Sequence, residues 1–360
     1  MKTLAWGLFG ACSWTWCIGM YLPVVMMERY GLAGFVVFAI PNIVGCAGFG
    51  YVLATAARSR ALVHAHRPAM VVFSLVAIAF QLFFAGWLMD GRAGWSVDFP
   101  AAAQVVPVAL FAVGLVASLG GSRIWLTLAA VVYAVSLIAF ALMGGDVAGL
   151  SSLRAASELA WVTPIILVGF LLCPYLDLTF HRMVQESPSR HAFGIFGGAF
   201  AVMIVMTIFV WFSGHERLPA LALAHLFAQM GFTVGAHLRE VRIATADRPL
   251  AMRTLVLLSP LLALAALPLT QLVTDAATAG DDTYLRFLVF YGLAFPAYVL
   301  LFVGPWRPLR AGANTIAGFG LIVLGLAPLY ELGFIHHRAM LLAVPVLAFG
   351  VWAIGRGTGK

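Results

Sequence analysis

The residues able to do chemistry in this chain are few, and they lie inside apolar runs. The stretch Trp161-Val-Thr-Pro164 through Cys173-Pro174-Tyr175-Leu176-Asp177-Leu178-Thr179-Phe180-His181-Arg182 joins a helix breaker to an acid deep in an apolar segment. Pro174 has no N–H, and its ring clashes with the carbonyl four residues back, so carbonyls near Phe170 and Leu171 lose their partners. In hydrocarbon such carbonyls are tolerated only where they line a cavity or an ion site. Two readings follow. Either Asp177 belongs to a broken helix around a site, or Pro174 makes a simple kink and Asp177 pairs with Arg182 at a membrane edge. Desolvation would favour the neutral carboxyl and suit it to carry a proton, whereas a neighbouring Arg182 would keep it ionised.

The first apolar segment has a matching oddity. Gly10, Cys12, Ser13, Trp14, Thr15, Trp16, Cys17 and Gly19 gather small, polar and indole groups about eleven residues after Lys2, a depth of about 16 Å at 1.5 Å per residue and so near a bilayer centre. Indoles prefer interfaces, so two of them at that depth need partners for their N–H groups. Ser13 and Thr15 either line a cavity or hydrogen-bond back to the preceding turn. Elsewhere, Asn42 follows Pro41, Gln81 stands in the third apolar run, and Tyr291 precedes Pro296 in the tenth. His225 and Gln229 are four apart and share a helix face. Glu158, Glu331, His336 and His337 fall at predicted outer ends, where solvation suffices. No Ser/His, paired-Asp or His-rich constellation at helical spacing would serve an enzyme, and none is expected.

These residues need elements to hold them, and composition names the kind. The chain is 63% hydrophobic and 10% charged over 360 residues, against about 25% charged in soluble domains. Apolar runs of about 20 residues, enough to cross about 30 Å of hydrocarbon, alternate with short charged clusters. Spans fall near 4–27, 34–57, 68–89, 101–120, 123–144, 159–180, 193–213, 218–237, 251–273, 284–304, 313–332 and 338–355, which predicts an all-α polytopic membrane protein of about twelve transmembrane helices. Met1-Lys2 and the following run imitate a signal peptide, and Phe9-Gly10-Ala11-Cys12 imitates a lipoprotein box. The run nevertheless continues to Met27 and meets another at once, so it reads as a spanning helix.

With the N-terminus inside, 15 of the 21 basic residues lie in cytoplasmic loops and 6 (Arg29, Arg92, Arg154, Arg217, Arg286, Arg338) outside. The positive-inside bias thus puts both termini in the cytoplasm of a multi-pass inner-membrane protein. The net charge of +7 is scattered over many loops, which argues for topology and against a nucleic-acid partner. Cys12, Cys17, Cys46 and Cys173 sit inside apolar runs and form no disulfide framework. The longest loops, about a dozen residues, are too short for a catalytic module, so residues 1–360 form one membrane domain.

Setting Cys12 against Cys173 brings Arg29-Tyr-Gly-Leu-Ala-Gly-Phe35 onto Arg190-His-Ala-Phe-Gly-Ile-Phe196. Span one runs outward and span six inward, so spans 1–5 (residues 1–144) and 6–10 (159–304) would be inverted repeats, each opening with the unusual helix. That arrangement is a pointer to a secondary transporter site at the midplane. The order of spans, with two more helices over 313–355, resembles the LeuT-type five-plus-five fold of the amino acid, polyamine and organocation superfamily. Within it, Cys173-Pro174-Tyr175-Leu176-Asp177-Leu178-Thr179-Phe180-His181-Arg182 is similar to the sixth helix of nucleobase permeases and sodium:solute symporters. Gly34-Phe-Val-Val-Phe-Ala-Ile-Pro41-Asn42-Ile-Val-Gly45 is similar to the second helix of the symporter family.

The resemblance implies alternating-access transport of a small neutral or cationic organic solute. It implies binding through Ser13, Trp14, Thr15, Cys173, Pro174, Tyr175 and Asp177, with Asp177 and helix eight (His225, Gln229, Thr233) coupling to an ion. Span eight lacks the adjacent hydroxyls of the sodium-coupled pattern, so Na⁺ and H⁺ both stand as coupling ions. Span one lacks the Asp-Pro-Gly motif of the divalent-metal branch, so no metal or other cofactor is expected. The partners expected are the lipid bilayer and a small-molecule substrate. A transporter-like sensor or scaffold dependent on a protein partner is the alternative, and spans eleven and twelve have no assigned role.

Overall fold

The computed structural model describes residues 1–89, 100–143, 157–212, 219–271, 279–304 and 309–358, and these form helices and turns with no strand among them. Helix α1 (Lys2–Trp14) is separated from α2 (Cys17–Leu53) by Thr15 and Trp16. Next come α3 (Ala56–Met89), α4 (Pro100–Ala117) and α5 (Ser122–Met143). Helix α6 (Leu159–Leu172) runs into a single 3-10 turn, Cys173–Leu176, before α7 (Leu178–Glu186). Then follow α8 (His191–Trp211), α9 (Ala220–Ala244) and α10 (Leu250–Gln271). Helices α11 (Ala279–Val289) and α12 (Phe295–Tyr298) are joined and extended by π segments at Phe290–Ala294 and Val299–Val303. Helix α13 (Ala313–Tyr330) ends in a third π segment, Glu331–Ile335, and a 3-10 turn leads into α14 (Ala343–Thr358).

Eight helical segments are long and apolar enough to cross a membrane, with shorter apolar helices over Ala102–Ala117, Leu250–Ala266 and Ala339–Trp352. This is the architecture of an all-α, multi-pass membrane protein, in which every spanning segment bonds its own backbone. Helices α1 and α2 pack on α8, α1 also on α5 and α9, and α2 on α6; α3 lies along α9 and α4. Their shared interior is aromatic, with Phe73, Phe180, Phe193, Phe196, Phe200 and Trp125 fully buried. The outward faces of α5, α10 and α13 carry Leu142, Leu255, Leu262, Leu321 and Leu324, all exposed. Lipid tails are as apolar as leucine, so these faces suit a bilayer.

Close approach rests on glycine where α2 meets α6. A Cβ at Gly45 would stand 2.7 Å from the Phe170 carbonyl oxygen, one of the groups Pro174 sets free. The corresponding atom at Gly50 would enter the Phe193 ring. Gly31 is needed for its backbone instead, since a φ of 63° and ψ of −158° interrupt α2 there, where the chain passes from one apolar run to the next. Only glycine takes that conformation without strain.

Several boundaries differ from the sequence expectation, for identifiable reasons. Residues 58–67, expected as a loop, are mostly helical: α3 begins at Ala56 and bends at His66. Ala-Ala-Arg-Ser-Arg-Ala-Leu is made of helix-tolerant residues, and Thr55 Oγ1 accepts from Arg58 N at 3.3 Å. Span six continues through α7 to Glu186, and α9 continues to Ala244, because ion pairs satisfy the charges at their ends.

Paired substitutions test the role of Gly31. Gly31→Ala should destabilise by about 1 kcal/mol or more, since a methyl group does not fit that φ. Gly48→Ala, a helical site with open space around it, should be neutral or stabilising by up to about 1 kcal/mol. Thermal unfolding of both variants in one detergent is the measurement, and a Gly31→Ala protein as stable as the parent would remove the conformational requirement.

Candidate functional site

The site forms where two helices stop. In α1 the stop is Thr15 (φ −75°, ψ 72°) followed by extended Trp16 (φ −83°, ψ 173°). Side chains from other helices take up the peptide groups released there. Gln81 of α3 accepts from Cys17 N at 3.2 Å, and the Tyr284 hydroxyl of α11 donates to the Cys17 carbonyl at 3.1 Å. Thr233 of α9 donates to the Cys12 carbonyl at 3.2 Å. Both indoles find acceptors, Trp14 on Asn42 Oδ1 at 2.8 Å and Trp16 on the Ser13 carbonyl. Thr15 Oγ1 turns back to the Ala11 carbonyl at 2.7 Å, and Ser13 to Gly10 at 3.1 Å.

The second stop is in the sixth helix. Pro174 lies in the 3-10 turn, after which Asp177 is extended (φ −81°, ψ 110°) and becomes the N-cap of α7. Its Oδ1 accepts from Thr179 N at 2.7 Å, the arrangement that starts a helix when one donor of its first turn is met by a carboxylate. The Thr179 hydroxyl donates to Ser13 Oγ at 3.1 Å and ties the two stops together. Asp177 is fully buried, and its Oδ2 has no hydrogen-bond partner among the described residues. Arg182 does not pair with it: the guanidinium reaches Glu240 at 2.9 Å and Glu186 at 3.1 Å. The alternative of a kink with an Asp177–Arg182 pair is thus not what forms.

Between the stops lies a small cavity of about 40 Å³, lined by Trp14, Trp16, Asn42, Cys173, Tyr291 and Phe334 among others. That is room for about three waters at 10–15 Å³ each. The Cys173 thiol donates to the Tyr291 carbonyl at 3.4 Å, and the Tyr291 hydroxyl is buried without a partner. Of the binding residues expected from the sequence, Trp14 and Cys173 line this cavity, Pro174 and Asp177 do not, and Ser13 is bridged beside it to Thr179, which is not among those expected. Thr15 serves backbone, and half-buried Tyr175 packs its ring on Phe49 (5.2 Å between centroids) outside the cavity lining.

The lining also includes Ile165, Ile166, Gly169, Leu288, Gly292 and Phe334, which a search for polar insertions passes over. Their only sequence signal is the Gly- and Pro-bearing character of the three runs that hold them.

The pair His225 and Gln229 forms a separate buried cluster on α9, away from the cavity lining. Ser136 of α5 joins them: His225 Nδ1 lies 2.8 Å and Gln229 Nε2 lies 2.9 Å from its hydroxyl. Gln229 also points toward Cys12 Sγ at 3.9 Å, so the cluster touches α1 one turn from the first stop. His225 Nε2 and Gln229 Oε1 have no hydrogen-bond partner among the described residues.

The two ends of the bundle are tied differently. At one, Glu240 is 4% exposed and takes Arg239 at 2.6 Å as well as Arg182 at 2.9 Å. Ser122, in turn, accepts from Arg239 at 2.9 Å and donates to Glu186 at 2.6 Å. Nearby Asp247 pairs with Arg67 at 3.0 Å. At the other end Glu331, expected to be merely solvated, pairs with Arg286 at 2.6 Å. No group of three His, Cys, Asp or Glu residues placed to hold a metal occurs among the described residues. No family model and no curated protein matches the chain.

Removing the acceptor of a buried indole should be costly. Asn42→Leu is expected to destabilise by about 1–3 kcal/mol, and much less in a Trp14→Phe background, where no N–H is left orphaned. Thermal unfolding of the four members of this cycle reads the coupling; additive losses would mean that the Trp14–Asn42 bond contributes nothing of its own.

Proposed function

We propose that this chain is a secondary transporter working by alternating access, with its solute site at the two helix stops. The observation that carries the reading is the meeting of those stops through Thr179 and Ser13, beside a fully buried Asp177 with one unpartnered carboxylate oxygen. A buried acid without a counter-charge is costly in an apolar surround and in membrane helices marks an ion or substrate path. Interrupted helices at matching places of two inverted halves are the general form of such a site. The order of elements supports the likeness to the LeuT-type fold. Counting α1 with Cys17–Tyr30 as one span, the part of α2 after Gly31 as the next, and the broken helices that hold Pro174, Pro296 and Phe334 as one span each would match the twelve spans expected from the sequence. The first and sixth of these contain the stops.

The solute class this site suits is a small neutral or cationic organic molecule. Trp14, Trp16, Tyr291 and Phe334 offer ring faces and Asn42 an amide, with no cationic side chain among the cavity's lining residues, while Asp177 lies outside that lining, behind the Cys173 turn. A multivalent anion would find no counter-charge there. Asp177 would be the charge-carrying element, neutralised in one phase of the cycle by a proton or a cation. On α9 the Thr233 hydroxyl is engaged by the Cys12 carbonyl, so the cation site between helices one and eight of sodium-coupled relatives would need this bond to open. That favours Asp177 and the His225–Gln229 cluster as coupling elements. No bond-breaking chemistry is part of this reading.

Two measurements test it. Tryptophan fluorescence during thermal unfolding, against nucleobases, amino acids, sugars and quaternary amines with Na⁺ and pH varied, should reveal the ligand. At a hundred times Kd, binding adds about 2.7 kcal/mol. A panel without any shift would move weight to a partner-dependent sensor or scaffold. With the ligand known, Asp177→Asn in proteoliposomes should abolish gradient-driven accumulation and spare solute exchange. Unchanged accumulation would remove Asp177 from coupling.

A further inference from the structure

The end of α13 brings one of the two helices outside the five-helix units onto the cavity. There the helix widens into the π segment Glu331–Ile335, and Phe334 from this segment forms part of the cavity wall together with Leu22 and Leu288. Three links hold the segment in place. Arg29 Nη1, at the far end of the apolar run that begins with the first stop, donates to the Phe334 carbonyl at 2.6 Å. Arg286 of α11 grips Glu331 with two donors, Nη2 to Oε1 at 2.6 Å and Nε to Oε2 at 3.0 Å. The Tyr330 hydroxyl donates to the carbonyl of Gly292 in the π segment of the tenth span. Gly292 itself lines the cavity, and a Cβ there would stand 2.9 Å from the Tyr330 ring, so that ring sits directly on the glycine.

We infer that Glu331–Ile335 is the closure of the cavity at its Arg29–Arg286 end, with Phe334 as the plug and the Arg286–Glu331 pair and Arg29 as the latch. The purpose of the closure rests on the transporter reading; its geometry does not. π segments are rare, single-turn interruptions of a regular helix that occur mostly at functional sites, and here Tyr330, the residue before one of them, bonds Gly292 inside another. The latch is built to release. Arg286 and Glu331 are each 35% exposed, so water replaces their mutual bonds at little cost. At the opposite end, Arg239 and Glu240 are 6% and 4% exposed, and separating them would strand buried charges. Of the two ends' ties, the Arg286–Glu331 pair is thus easier to part than the Arg239–Glu240 pair. Arg29 holds a backbone carbonyl, so the Phe334 ring is held by packing alone, against the Tyr330 ring among others. This gives the eleventh span a role that the repeat pattern does not supply.

Cys173 lines the same cavity and is a native reporter. The test is the rate at which N-ethylmaleimide modifies Cys173 in the intact, detergent-solubilised chain, read by mass spectrometry of the peptide that carries it. Phe334→Ala and Glu331→Gln should each raise that rate by about tenfold, since modification follows the population of the open form. Exchanging the pair, Arg286→Glu with Glu331→Arg, should bring it back toward the parent rate. Ser122→Ala, at the opposite end, should leave it unchanged. Should Glu331→Gln fail to fold, Arg29→Gln tests the latch with the ion pair intact. An unchanged Cys173 rate in Phe334→Ala and in a latch variant would overturn the closure, as would an equal rise in Ser122→Ala. Failure of the transport reading would appear as absent accumulation and leave these rates as they are.

Discussion

A peptide group released from a helix inside hydrocarbon must find another partner, and this structure is organised around that requirement. Stopping α1 at Thr15 and the sixth helix at Asp177 frees backbone groups, and several acquire specific satisfiers, some from other helices, with a further bond to the first carbonyl of α2. Gln81 comes from α3, Thr233 from α9 and Tyr284 from α11, while Asp177 caps α7 itself. The stops are thereby fixed in space by parts of the chain more than sixty residues away. A substitution at any of these polar side chains would therefore act on the shape of the site without touching the cavity.

The same requirement explains the glycines and the aromatic interior. To present its carbonyl near Phe170 in a dry environment, the sixth helix needs a neighbour without side-chain bulk, and Gly45 is that neighbour. Cys46 adds a weak thiol donor toward the same oxygen at 3.9 Å. Around this polar seam the volume is filled by rings, such as Trp14 on Phe180 at 4.8 Å and Trp16 on Tyr291 at 5.4 Å between centroids. Rings fill space at low conformational cost, and the indoles also supply donors that bind the stops to Asn42 and Ser13.

Much of this was legible in the sequence, and the reasons for the rest are specific. Pro174 with Asp177, and the crowd of polar residues from Cys12 to Cys17, announced both stops because breaking a helix in lipid needs particular residue types. Their meeting through Thr179 and Ser13 was not legible, since it depends on how α1 and α7 cross. Arg182 read as a partner for Asp177 because the two are five apart, yet Glu240, 58 residues beyond Arg182, wins it. Ser136 was invisible as the partner of His225 and Gln229, being a lone hydroxyl in an apolar run. The lining residues Ile165, Gly169, Leu288 and Phe334 carry no polar signal; they matter by position alone.

The distribution of satisfied and unsatisfied atoms bears on how such a site works. Several backbone groups at the stops are paired, among them Cys17 N, the Cys12 and Ser13 carbonyls and Thr179 N, whereas Asp177 Oδ2, the Tyr291 hydroxyl and Gln81 Nε2, all buried near them, have no hydrogen-bond partner among the described residues. Were the backbone left open instead, filling and emptying the site would remake the stops themselves at each turnover. With those backbone groups already satisfied, a ligand or ion at the proposed site would gain these side-chain atoms, and the energy would go to choosing between conformations of a preformed frame. A cavity with room for about three waters cannot present those atoms to an organic solute without widening. The bonds from α3 and α9 pin the first stop, while on the side of Phe290–Ala294 and Glu331–Ile335 the wall is tied by the Tyr330–Gly292 bond. Where a polar group finds a partner in a dry interior thus decides which parts of the cavity are pinned and by what.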